Sequence, residues 1–225
     1  LSDSPLILFG AFDRHNFGDL LLAEISASVL RHRPLVFAGL AERDLTAFGG
    51  RKVRSIAEVA REWGDQPADV VQTGGEILTC SLYEAAVMLL SQESAAKAIA
   101  CHDADRAARQ AWSEELLGLH QQVAYLVPRS LFRRPRNFQY FGIGGTELAN
   151  VPLPMRQEVI ANLQHAGHVW VRDRVTQAHL EQARIRTFLA PDPAAATARL
   201  CGSCIASHRV DGEPAAVAAR FSQGY

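Results

Sequence analysis

The stretch Pro5-Leu-Ile-Leu-Phe-Gly-Ala-Phe-Asp-Arg-His-Asn-Phe-Gly-Asp-Leu-Leu-Leu-Ala-Glu24 decides the fold. Its opening run, Leu6 to Phe9, is continuously apolar, as in a strand buried on both faces. The polar loop Asp13-Arg-His-Asn16 follows. Leu20 to Leu30 then reads as a helix, with Leu21, Leu22, Ile25, Val29 and Leu30 at helical spacing. Asp19 stands where an N-cap or first-turn acid belongs. A strand, a polar turn and a helix in this order form the first half of a βαβ unit.

The same alternation continues. Leu35–Ala38 reads as a second strand, Ser55–Trp63 as a helix and Asp69–Gln72 as a third strand ending at Gly74-Gly75. Two helical stretches are expected at Leu82–Ser91 and Asp103–Leu119. Val123–Val127 fits either a strand or a last helical turn. Phe138–Ile143 is strand-like and runs into Gly144-Gly145. Pro154 opens a helix to about Ala166, using proline at its favoured first-turn place. His168–Val171 is a strand, Val175–Ala183 a helix and Ile185–Leu189 a last strand before Pro191-Asp-Pro193. This pattern predicts an α/β fold: an open, mostly parallel, Rossmann-like sheet with helices on both faces. Residues 1–200 are expected to form this domain. Residues 201–225 read as a linker, a C-terminal helix or the start of a second domain.

The chain has 225 residues, 48% hydrophobic and 21% charged, which is ordinary globular composition. Its net charge of −1 provides no global field for nucleic acid or an anionic membrane. No apolar run approaches the ~18–20 residues of a bilayer span. The opening Leu1-Ser-Asp-Ser-Pro5 lacks the basic region of a signal peptide. The chain begins on Leu1 rather than Met, as expected for a segment of a longer product. Four cysteines are too few for a disulfide framework at this length, so a reducing cytoplasm is the expected compartment.

In open α/β sheets, ligands bind beyond the carboxyl ends of the strands, and the loops expected there are glycine-rich or charged. Asn16-Phe-Gly18-Asp19 places a glycine at a strand-to-helix turn and an acid able to orient or deprotonate a hydroxyl. Its plain reading is a capped helix start. The loop has neither the Lys-Ser/Thr pair of a Walker loop nor the spaced glycines of a dinucleotide fingerprint. Thr73-Gly74-Gly75-Glu76 and Gly142-Ile-Gly144-Gly145 let backbone approach a ligand closely, or are simply tight turns. Arg172-Asp173-Arg174 ends a buried strand, where an arginine can point its fork at a carboxylate or phosphate. Alternatively, Arg172 and Asp173 pair to lock the strand end. Arg129, Arg133, Arg134 and Arg136 form either a local anion collector or a solvated loop. Cys201-Gly-Ser-Cys204 with His208 has metal-like spacing without a fourth ligand.

Taken in order, these pieces resemble the polysaccharide pyruvyl transferase family. Gly10-Ala-Phe-Asp-Arg-His-Asn-Phe-Gly-Asp19 is similar to its strand followed by an Asn-x-Gly-Asp turn. Asp69-Val-Val-Gln-Thr-Gly-Gly75 resembles its strand leading into a glycine cluster. Tyr140-Phe-Gly-Ile-Gly-Gly145 resembles its later glycine turn. Val169-Trp-Val-Arg-Asp173 and Ala190-Pro-Asp-Pro193 resemble its Arg-Asp and Pro-Asp steps. The resemblance spans about Leu6 to Ala196. It departs at Glu76, where the family continues with glycine, and at the basic insert around Arg133.

The resemblance implies transfer of a pyruvyl group from phosphoenolpyruvate to a sugar hydroxyl, forming a ketal in polysaccharide biosynthesis. It also implies a glycosyltransferase-B-like architecture of two Rossmann-like halves, this chain being the N-terminal half. Asp19 and Arg172 are then the expected catalytic residues: Asp19 for the sugar hydroxyl and Arg172 for the donor's anionic groups. Asn16, Gly18, Gly74, Gly75, Glu76, Gly144, Gly145 and Asp173 are the expected substrate-binding positions. The expected partners are phosphoenolpyruvate and a sugar or glycan acceptor, with no cofactor, metal or nucleic acid; a homo-oligomer is compatible with the sequence. Two alternatives use the same cleft: a nucleotide-sugar-dependent glycosyltransferase, and a non-catalytic domain that binds a sugar or a partner.

Overall fold

Period-two alternation in the first strand sets the layers of the molecule. The structure is a computed structural model that describes residues 4–207. In β1 (Leu6–Phe9), Leu6 and Leu8 point into one apolar cluster, and Ile7 and Phe9 into a second, larger one. A strand buried on both sides belongs in the middle of a sheet covered on both faces. β1 is indeed central, paired in parallel with β2 (Leu35–Gly39) on one side and β5 (Ala68–Gly75) on the other.

Beyond β2 lie β4 (Lys52–Ser55), parallel to it, and the two-residue β3 (Arg43–Asp44), the one antiparallel strand among the described residues. Beyond β5 lie β6 (Pro135–Ile143), β7 (His168–Val171) and β8 (Phe188–Leu189), all parallel. The full order is β3-β4-β2-β1-β5-β6-β7-β8. The parallel strands therefore run outward from β1 in both directions, as in the doubly wound Rossmann order, with the topological switch point between β1 and β5.

One face carries α1 (Phe17–Leu30), whose Ala23 joins Leu8, Phe12 and Val71. The other carries α2 (Ile56–Trp63), α6 (Leu153–Gln164) and α7 (Arg174–Gln182), through Ile56, Val59, Met155, Val159, Leu163 and Leu180. Between β5 and β6 the chain inserts α3 (Leu82–Met88), α4 (Gln92–His102) and α5 (Arg106–Leu117) on that larger-core face. Sequence periodicity gives two helices here; the structure has three. Ser81, Ser91 and Asp105 each accept a hydrogen bond from the first turn of the helix that follows, so each starts a separate helix. α4 buries Ala98 alone, which explains its faint periodic signal.

Val123–Val127 is neither a helix nor a strand, although all of its residues are buried. Side chains satisfy its backbone instead. Glu158 accepts from the Gln122 and Val123 N–H groups, Gln72 Oε1 accepts from Val127 N at 2.7 Å, and Gln121 donates to the Val123 and Ala124 carbonyls. The last strand is shorter than the expected Ile185–Leu189: Arg184 takes φ 60° and only Phe188–Leu189 pairs. A short 3₁₀ turn, Pro193–Ala196, then leads into α8 (Thr197–Ser207), so the chain stays helical past residue 200. Among the described residues, no helix is long and apolar enough to cross a membrane.

Candidate functional site

All parallel strands present their carboxyl ends to the same edge, so the loops after β1, β5, β6, β7 and β8 gather at the switch point. Asn16 caps α1, its Oδ1 accepting from Asp19 N at 3.2 Å. A Cβ at Gly18 would lie 3.3 Å from that same oxygen, so the glycine keeps the cap uncrowded. Asp19 is thereby set in the first turn. Arg14 Nη2 meets its carboxylate at 2.7 Å. Burial raises the Asp19 carboxyl above its ordinary value, while Arg14 and, more weakly, Arg172 pull it back.

The end of β5 lies beside this turn. Gly75 has φ 82°, and a Cβ placed on it would sit 3.8 Å from Asp19 Oδ1. A Cβ on Gly74 would sit 2.7 Å from Leu22 Cδ1, so that glycine lets α1 pack onto the strand end. Gly144 N donates to the Gly75 carbonyl at 2.8 Å, joining the glycine turns of β5 and β6. Gly145 N donates to Thr176 Oγ1 at 2.8 Å, tying the same turn to α7.

Arg172, at the end of β7, is the hub. Its Nη2 bonds Glu76 Oε2 at 3.1 Å and its Nη1 bonds Asp192 Oδ2 at 3.0 Å. A Cβ on Gly144 would fall 2.5 Å from Glu76 Oε2 and 2.7 Å from Arg172 Nε, so that glycine makes room for the pair. The other oxygen of Glu76 accepts from Thr146 N and Oγ1. Asp173 does not pair with Arg172. It caps α7, accepting from Thr176 N and Thr176 Oγ1, both at 2.7 Å.

Compared with models of protein families, with curated proteins and with solved structures, the chain matches none. The site therefore has to be read from its own chemistry. Two arginines, Arg14 and Arg172, face three carboxylates, Asp19, Glu76 and Asp192. Such a set is well supplied with acceptors for hydroxyl groups. It leaves no guanidinium unpaired for a polyanion.

Sequence reasoning placed Asp19, the glycine turns, Glu76 and Arg172 near a common edge, and the structure sets them there in two groups, Asp19 with Arg14 beside the β5 turn and Arg172 with Glu76 beside the β6 turn. It did not find Arg14 as the partner of Asp19, nor Asp192 as a partner of Arg172. Arg14 stood in the first loop as one polar residue among four, with nothing to mark it. The basic stretch lies at the opposite edge, where the strands begin. There Arg136 bonds both carboxylate oxygens of Asp69, Arg33 meets Asp69 at 2.9 Å, and Arg129 stacks over Phe138 at 5.0 Å. These arginines hold strand starts together and do not serve the switch-point cleft. Among the described residues, no three His, Cys, Asp or Glu side chains converge as metal ligands. Cys201 and Cys204 fall on α8, and His208 lies outside the described residues.

Proposed function

We propose that this domain is one half of a pyruvyl transferase-like enzyme, which moves a pyruvyl group from phosphoenolpyruvate to a sugar hydroxyl. One observation carries the reading: the separate turns that resemble this family meet at the switch point, with Asp19 beside Gly75 and Arg172 beside Gly144 and Glu76. Ligand binding at the switch point is the general rule for doubly wound sheets.

In this scheme Asp19 accepts the hydrogen bond of one acceptor hydroxyl and takes its proton as that oxygen bonds C2 of the donor; the donor's methylene carbon takes up a proton to become the methyl group, and a second hydroxyl of the sugar then displaces phosphate to close the ketal. A burial-raised carboxyl is a better base than an exposed one. Arg172 faces the donor's carboxylate or phosphate once Glu76 and Asp192 yield part of its fork. The remaining donor contacts belong to a second half.

A second reading draws on the charge count. Three carboxylates against two arginines suit a neutral, hydroxyl-rich ligand better than a polyanion, which favours a sugar-binding domain without turnover. Phosphate release from phosphoenolpyruvate, measured with a panel of glycan acceptors and the complete gene product, separates the two. Acceptor-dependent release supports the transferase. Glycan binding without release supports the binding domain.

A further inference from the structure

Many arginines of this protein are spent on carboxylates. Arg14 meets Asp19, Arg51 meets Glu24, Arg54 meets Glu62, Arg136 meets Asp69, and Arg172 meets both Glu76 and Asp192. Arg106 and Arg109 are different. Both line one cleft of about 370 Å³, in the size range of small-molecule sites. Its walls come from residues 79–84, the start of α5 and the turn Val151-Pro152 before α6. The first and last of these follow the strand ends at Gly75 in β5 and Ile143 in β6, so the cleft belongs to the carboxyl-end loops.

The hydrogen bonds around this cleft leave donors over. Arg106 Nη2 donates to the amide oxygen of Gln122 at 3.2 Å, and among the described residues Arg106 pairs with no carboxylate. The Arg109 guanidinium lies over the Tyr83 ring at 5.6 Å, and its Nη1 is 3.7 Å from Asp103 Oδ1, beyond hydrogen-bond reach. The Arg109 side chain is 37% exposed, so solvent and solutes reach it. Nearby carboxylates are occupied elsewhere. Glu84 accepts from Ser81 N and Oγ, Asp105 from Ala107 N and Ala108 N, and Glu158 from Gln122 N and Val123 N. Each guanidinium carries five N–H donors in a planar fork that fits a carboxylate or phosphate. What the cleft lacks is an acceptor to meet them.

We propose that Arg106 and Arg109 form a site in this cleft for an anionic group, a carboxylate or a phosphate, carried by a saccharide. Three positions apart on α5, the two arginines share one helix face, and that face borders the cleft. Tyr83 holds the Arg109 fork in place through its ring. The rest of the wall suits a sugar: Thr79 and Gln122 offer polar groups for its hydroxyls, and Val151 and Pro152 an apolar surface for its ring. Both guanidinium forks of the switch-point cleft are engaged by carboxylates, so an acidic acceptor finds its counter-charge here instead. The proposal rests on the carbohydrate-binding part of the proposed function and makes that carbohydrate an acidic one.

The test uses the complete gene product and ligand-observed NMR, with methyl glucuronoside, glucose 6-phosphate, methyl glucoside and inorganic phosphate as probes. At least one charged sugar is expected to bind about tenfold more tightly than methyl glucoside, and the preferred one tells carboxylate from phosphate. Arg106→Gln and Arg109→Gln should each weaken that binding about tenfold, as for one lost charge-assisted hydrogen bond, and leave methyl glucoside within about twofold. Thermal unfolding, expected within about 1 °C of wild type for these exposed side chains, confirms that both variants fold. Unchanged affinity for the charged sugars in both variants overturns the proposal. So does methyl glucoside binding as tightly as the charged sugars, or no binding of either charged sugar. Inorganic phosphate binding as tightly as glucose 6-phosphate overturns the saccharide part. Phosphoenolpyruvate binding, measured by calorimetry on the same samples, judges the transferase reading separately, and Arg106→Gln is expected to leave it within about twofold.

Discussion

Replacing Glu76 with Gln should make the site a better anion binder. Glu76 is one of the two places where the sequence departs from the pattern it resembles, and its Oε2 sits 3.1 Å from Arg172 Nη2. Glutamine keeps the size and retains a carbonyl oxygen for Thr146 N, but removes one negative charge from the arginine's fork. The side chains are 28% and 35% exposed, so the pair itself is worth at most about 1 kcal/mol of stability. The effect on a ligand is larger. A unit charge at a distance of roughly 5 Å, under a dielectric between water and protein interior, interacts by about 1–2 kcal/mol, or about tenfold in affinity per ligand charge. Calorimetry with phosphoenolpyruvate should therefore show at least about tenfold tighter binding to the Glu76→Gln protein. The gain should shrink as salt is raised, because screening weakens charge effects at a partly exposed site. Equal or weaker binding by a folded variant would refute the assignment of Arg172 as an anion site held in check by Glu76.

Three further outcomes are expected from the scaffold. Gly142→Ala should destabilise by about 2–4 kcal/mol in denaturant unfolding, because φ is 66° there and the new Cβ would overlap Pro193 Cδ and Cγ; a loss below about 0.5 kcal/mol would contradict this packing. Asp69, bonded by Arg136, Arg33 and Asn137, has its carboxyl pulled down to about 2. Since the folded value lies below the unfolded one, this contributes about 2 kcal/mol that is present above about pH 4 and lost as pH falls towards about 2. Asp69→Asn should therefore flatten acid unfolding in that window, and an unchanged acid limb would count against the ion pair. Asp173→Ala should cost about 1 kcal/mol through the lost cap of α7 and leave ligand affinity within about twofold, since its carboxylate is spent on Thr176; a much larger loss of affinity would give it a role at the ligand.

The sheet was legible because its strands are short, apolar and separated by helices, and Leu6–Phe9 and His168–Val171 fall where their composition puts them. The strand β4 was not: Lys-Val-Arg-Ser buries Val53 and leaves charges around it, so it carries no apolar run. Val123–Val127 was ambiguous for the opposite reason. It is apolar throughout, and what makes it irregular is side-chain bonding from Gln72 and Glu158, far away in sequence. The same distance hid the centre of the site. Glu76 and Arg172 are 96 residues apart, and no local pattern announces their pairing. The glycine turns were readable as turns, while the reason for Gly144, room for an ion pair, needed the third dimension.

Calorimetric titration of the complete gene product with phosphoenolpyruvate, wild type beside Arg172→Ala, tests the central claim most directly. The account predicts saturable binding by the wild type, in the micromolar-to-millimolar range usual for metabolites, and at least about tenfold weaker binding by a folded Arg172→Ala protein. Equal binding by both proteins would take Arg172 out of the donor site. No binding by folded wild-type protein would contradict the pyruvyl-donor assignment itself.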